Sequence, residues 1–193
     1  VSTSIRIRRT WDAFDPDLTL GMAETKEALG EFWYKVSSSG SGMSISLDWY
    51  YANIDRSGPI GKLNLRSGCH RVVRVALASA MAEVIALGLE NTIDYSDANS
   101  AGGCWTARFS RQSPNSSIGF LSRHTWGMAV DTNTQGSCLG CAPPDMDCRT
   151  VRVFRKHGFA WGGNFLNPDG MHFEWVGAPR HQGLYPSRYC PNV

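Results

Sequence analysis

The chain has no run approaching the ~20 consecutive apolar residues of a membrane span, and the stretch after Val1 has neither the charged start nor the apolar segment of a targeting signal. Whether a leader was removed stays open. Charge of one sign is also scarce in excess: 19 Lys and Arg against 17 Asp and Glu leave +2. Nothing in that balance demands nucleic acid, although a slightly basic protein suits work beside an anionic polymer. There is one Cys-x-x-Cys, Cys138 to Cys141, and no second to complete a zinc ribbon. What is present is ordinary for a globular protein, with 42% hydrophobic and 19% charged residues. A length of 193 residues supports one domain with a real core and is short for two. We expect a single domain over 1–193, with 1–65 as a helix and strand extension, a core over about 66–176 and an irregular tail over 177–193.

Six cysteines, Cys69, Cys104, Cys138, Cys141, Cys148 and Cys190, form an even set. They point to an oxidising compartment and up to three disulfides, whose fifteen pairings the sequence leaves open.

Two of the five histidines lie in motifs. In Ser122-Arg123-His124-Thr125-Trp126-Gly127-Met128-Ala129-Val130-Asp131 the imidazole and the carboxylate stand seven residues apart. That spacing excludes a helical i, i+4 pair and calls for a bend followed by an extended run. Strand alternation then puts Gly127, Ala129 and Asp131 on one face and turns Met128 and Val130 to the core. Downstream, Asn167-Pro168-Asp169-Gly170-Met171-His172-Phe173-Glu174-Trp175 divides the same way, with Met171, Phe173 and Trp175 apolar and His172 and Glu174 opposite. His172 supplies a third ligand. Two histidines and one carboxylate leave the fourth position of zinc to water, the pattern of a catalytic rather than a structural site. Asp169, three residues before His172 in a Pro/Gly turn, is placed to take that water's proton.

The two motifs in order, Ser-x-His-x-x-Gly-x-Ala-x-Asp and Asp-x-x-His-Phe-Glu, resemble the zinc D-alanyl-D-alanine carboxypeptidase family over roughly residues 100–176. That family includes vancomycin-resistance dipeptidases and the L-alanyl-D-glutamate endopeptidases of phage lysins. The resemblance implies Zn2+ on His124, Asp131 and His172, with Asp169 as general base. Many members have Glu in the base position, and the endopeptidase-like branch is similar to this chain in having Asp. The family's substrate-gripping, oxyanion-stabilising arginine corresponds by position to Arg108, less well to Arg111; a solvated arginine is the plain alternative. Ser122 matches a serine that helps hold substrate, or is a turn residue. Trp161, in a Trp-Gly-Gly run similar to that branch, is expected to touch substrate, with core packing as the equal alternative, and Glu174 to back His172 without catalysing.

The resemblance further implies an α+β fold of the hedgehog/DD-peptidase type. A small, mainly antiparallel sheet would carry the zinc site, packed with three or so helices. The implied activity is hydrolysis of peptidoglycan stem peptides, as an L,D-endopeptidase or a D,D-carboxypeptidase. The protein would be secreted, or a phage lysin acting on the wall, and would act as a monomer without nucleic-acid or membrane partners. The rival is a non-catalytic zinc-containing binding module of the hedgehog-like fold, which has no need of Asp169. A disulfide-rich structural wall protein would need no metal.

Elsewhere the pattern predicts a short strand over 3–9, a helix over 19–36 with Met22, Leu29, Phe32, Trp33 and Val36 on one stripe, and a loop or hairpin connection over 37–46. An aromatic strand follows over 47–54. The main helix is expected over 69–87, capped by Ser67, buried through Val73, Leu77, Ala80, Met81, Val84 and Leu87, and stopped at Gly88. A short strand is expected over 102–111, and a third helix over 145–157, burying Cys148, Val151 and Phe154 and ending at Gly158. His70 and His157 then have structural roles.

Overall fold

The computed structural model describes residues 19–37, 42–96, 101–111, 120–180 and 187–190; the strand expected over 3–9 and His181 lie outside them. The helix expected over 19–36 is shorter. Helix α1 spans Met22–Leu29 and stops at Gly30, whose φ of +84° no helix accommodates. The Trp49 indole closes over that point, its Nε1 donating to the Leu29 carbonyl at 3.1 Å. Beyond it the chain forms a hairpin, β1 (Tyr34–Val36) with β2 (Met43–Ile45). Phe32 packs on Trp49 and Trp126, whereas Trp33 is exposed.

The aromatic run expected as a strand is helix α2, Leu47–Asn53. Ser46 caps it, accepting from the Trp49 amide at 3.4 Å, and Asp48 lies in its first turn. A cap and a helix dipole here override the strand preference of tyrosine and tryptophan.

Strands β3 (Ile54–Asp55) and β4 (Cys69–His70) pair antiparallel and lead into α3, Arg71–Ala86. Val73, Leu77, Ala80, Met81 and Val84 are buried as the periodicity predicts, while Leu87 lies past the helix end and is exposed. The cap is His70 rather than Ser67: the buried imidazole accepts from the Val72 amide at 3.3 Å through Nδ1. That bond needs a lone pair, and burial pushes the His70 pKa down to about 4. Ser67 instead accepts from the Trp105 amide.

The central sheet comprises β5 (Ala101–Gly103), β6 (Ala129–Thr132), β7 (Phe159–Trp161) and β8 (His172–Trp175), in the antiparallel order β5-β6-β8-β7. The strand expected over 102–111 is only the end of β5, followed by an isolated bridge from Phe109 to Leu121. Helix α4, Cys148–Lys156, is capped by Asp147 and covers one face of this sheet, where Phe154 stacks on Phe173 at 4.4 Å. Its C-terminal Lys156 and His157 both reach Glu83 of α3, at 2.8 and 2.7 Å, which accounts for His157.

The fold class is α+β, as expected. Disulfides join Cys69 to Cys104, Cys138 to Cys141 and Cys148 to Cys190. The last of these ties the tail to α4.

Candidate metal centre

Three residues reach one point by three routes. His124 lies on a single 3₁₀ turn, Arg123–Trp126, which Ser122 opens by accepting from the His124 amide at 3.3 Å. Asp131 is on β6. His172 begins β8 directly opposite it, in the register Asp131 to His172, Val130 to Phe173 and Ala129 to Glu174. The alternation read from sequence therefore holds: Asp131, His172, Ala129 and Glu174 share a face, and Val130 and Phe173 take the core side.

His124 Nε2 lies 3.2 Å from Asp131 Oδ2, and His172 Nδ1 lies 3.1 Å from Asp131 Oδ1. The ligand atoms of all three residues fall within 4.8 Å of one another, a grouping that could hold one metal ion. The opposite ring nitrogens are engaged as well. His124 Nδ1 is 2.9 Å from the Cys104 carbonyl, which fixes the proton there and turns the Nε2 lone pair to the site. His172 Nε2 faces Glu174 Oε2 at 3.4 Å, leaving Nδ1 for the site.

Buried His124 Nε2 has no hydrogen-bond partner even though Asp131 is close. Two polar atoms that approach without the direction of a hydrogen bond suit a shared cation. The electrostatics agree. Burial pushes the Asp131 carboxyl up, but the charge of His124 and the hydrogen bond and charge of His172 outweigh it and hold the group well below the carboxylate range. Burial pushes His172 down, yet hydrogen bonds to Asp131 and Glu174 carry it up to about 10. The pocket is built to hold positive charge, as a proton on His172 or as a metal ion in its place.

Asp169 sits in the turn before β8. Its amide donates to the Gly162 carbonyl at 2.9 Å and its carbonyl accepts from the His172 amide at 3.0 Å. A Cβ on Gly162 would stand 2.5 Å from the Asp169 carbonyl oxygen, so the turn needs glycine at that position. From the other side, the Gly140 amide donates to the Pro168 carbonyl at 2.6 Å and Leu139 bridges to Asp169. Asp169 Oδ1 is buried without a hydrogen-bond partner. Burial raises its pKa, as does Asp131, against His172, His124 and Arg108. Such a carboxylate is suited to accepting a proton.

Arg108 is half-buried. Its amide donates to Thr125 Oγ1 and its carbonyl accepts from the Ser122 amide. Burial, then Arg111, lowers its pKa, while Asp131 and Asp169 act the other way, so the guanidinium feels both site carboxylates.

Two expected substrate contacts sit differently. Trp161 is fully buried and its indole donates to the Gly170 carbonyl at 2.8 Å, so it braces the Asp169 turn from the core instead of facing the cleft. Ser122 is also buried and its hydroxyl is occupied by the His124 amide: of its two readings, the turn residue is the one seen.

Sequence reasoning missed Arg123. Its Nε lies 3.2 Å from Glu174 Oε1, and its other nitrogens donate to Thr25 Oγ1 and the Leu20 carbonyl. It therefore clamps the residue behind His172 to α1. Its place beside His124 in the motif was the only signal.

Residues 115–175 match the model of a family described as D-alanyl-D-alanine carboxypeptidase. This is the family the motifs resemble. The part matched to the carboxypeptidase family takes in His124, Asp131, Asp169, His172, Arg123 and Glu174, and leaves out Arg108 and everything before it. No curated protein and no solved structure matches the chain.

Proposed function

We propose that the protein is a zinc-dependent peptidase that hydrolyses peptide bonds in the stem peptides of bacterial peptidoglycan. The family match supports a peptidase in general. The observation that carries the finer reading is the meeting of His124, Asp131 and His172 beside a buried carboxylate, Asp169, with one oxygen unpartnered.

Zinc held by those three residues would polarise the scissile carbonyl and acidify a water at its open position. Asp169, with its raised pKa, takes the proton of the attacking water and passes it to the leaving amine. Arg108 meets the negative charge that develops on the carbonyl oxygen, an interaction worth about 10²–10³ in rate in comparable sites. Glu174 and the Cys104 carbonyl hold the two imidazoles in the tautomers that leave His172 Nδ1 and His124 Nε2 free for the metal.

The protein is read as one domain, working as a monomer on the wall outside the cytoplasm, whether released by a bacterium or carried by a phage. Three disulfides suit such a compartment. No described helix is long and apolar enough to cross a membrane.

Digestion of purified wall peptides by the zinc-supplemented protein, with products weighed by mass spectrometry, tests the reading. Release of free D-Ala marks a carboxypeptidase and cleavage within the stem an endopeptidase. Intact peptides after prolonged incubation contradict both.

A further inference from the structure

Outside the matched segment, two arginines stand between two grooves. One groove, about 490 Å³, is lined by Met43, Tyr50, Trp105 and Ala107 among others. The second, about 580 Å³, runs past Pro59 and Leu65. Arg56 and Arg66 line both.

Neither arginine is idle packing. The stem of Arg56 lies against Gly68, where a Cβ would come within 2.8 Å of Arg56 Cγ, and Arg56 Nε donates to the Arg66 carbonyl at 3.3 Å. The nearest acid in sequence, Asp55, is committed elsewhere, accepting from the Ser57 amide and pairing with Arg74 at 3.3 Å. Among the described residues, neither Arg56 nor Arg66 pairs with a carboxylate. Two exposed guanidinium groups without counter-charge, next to an aromatic wall in which Tyr50 meets Trp105 at 4.7 Å, make an anion site with an apolar flank.

That wall is also joined to the metal centre. The Cys104 carbonyl fixes His124 Nδ1, the Thr106 amide donates to the His124 carbonyl at 3.0 Å, and the Trp105 indole donates to the Thr125 carbonyl. Two residues on, the Arg108 guanidinium feels the charge of both site acids. A ligand in the groove thus lies along the segment that positions the first metal ligand.

We propose that this groove is an extended substrate subsite that holds a carboxylate-bearing part of the peptide on Arg56 and Arg66, with its apolar portion against Tyr50 and Trp105. The subsite rests on the peptidase reading for its ligand, and its test is separable from that reading. Calorimetry on the zinc-supplemented protein would compare two synthetic stem peptides of one sequence, one with free side carboxylates and one with them amidated. The expected result is about tenfold tighter binding of the anionic peptide. Arg56→Gln/Arg66→Gln should erase that preference, raise KM for the anionic peptide by a similar factor and leave kcat unchanged.

A preference that survives in the double variant, or is missing from the parent protein, overturns the subsite. So does inorganic phosphate binding Arg56 and Arg66 as tightly as the peptide, which would make this a general anion site. If the preference is present and Arg-dependent while neither peptide is cleaved, the groove stands and the peptidase reading falls.

Discussion

Asp131 and His172 stand directly across two antiparallel strands, with Oδ1 and Nδ1 3.1 Å apart. Residues paired this way carry side chains to the same face at close range, so the register alone delivers two of the three clustered side chains. His124 then needs only the short turn ahead of β6.

Asp169 is separable from metal binding. Asp169→Ala should retain zinc at the parent level and lose about 10²–10⁴ in kcat on wall peptides, because in the proposed mechanism its carboxylate moves a proton and it is not among the three clustered residues. Parallel zinc titration and single-turnover assays check this. Undiminished turnover would remove Asp169 from the chemistry.

Glu174 touches His172 on one side and Arg123 on the other. Glu174→Ala leaves the imidazole without its partner and a mostly buried arginine without its carboxylate. Zinc affinity should fall about 10–100-fold, and excess zinc should restore much of the activity. Competition with a chelator of known affinity measures the loss. An unchanged affinity would mean that Asp131 alone orients the ring.

Metal uptake should depend on pH in a definite sense. Without metal, His172 keeps a proton up to about pH 10, and a cation on Nδ1 must displace it. Apparent zinc affinity should therefore rise with pH, by about tenfold per unit across the neutral range for one released proton. Calorimetry in buffers of different ionisation enthalpy counts that proton. Binding without proton release would show that His172 is already neutral.

The site was legible in the sequence because strand alternation is a local rule. The spacing from Ala129 to Asp131 and from His172 to Glu174 put the correct residues on each face before any register was known, whereas Gly127 lies ahead of the strand in a left-handed turn. The main helix was legible for a similar reason, since Val73, Leu77, Ala80, Met81 and Val84 repeat at helical intervals. The failures occurred where a single cap or stop outweighs a pattern. Gly30 interrupts an apolar periodicity that runs on to Val36, and Ser46 with Asp48 starts a helix in a run of tyrosines. His70 displaces Ser67 as cap because β4 ends beside it. Partners remote in sequence carried no local signal: Arg123 with Thr25, the Cys104 carbonyl with His124, and the core position of Trp161 all depend on tertiary packing.

The most direct test of the account is metal content. Elemental analysis of the protein dialysed against micromolar zinc should give one zinc per chain, and His124→Ala, Asp131→Ala and His172→Ala should each fall far below that while remaining folded by circular dichroism. A folded parent protein that retains no zinc, or a His172→Ala variant that retains it in full, would contradict a centre built from these three side chains.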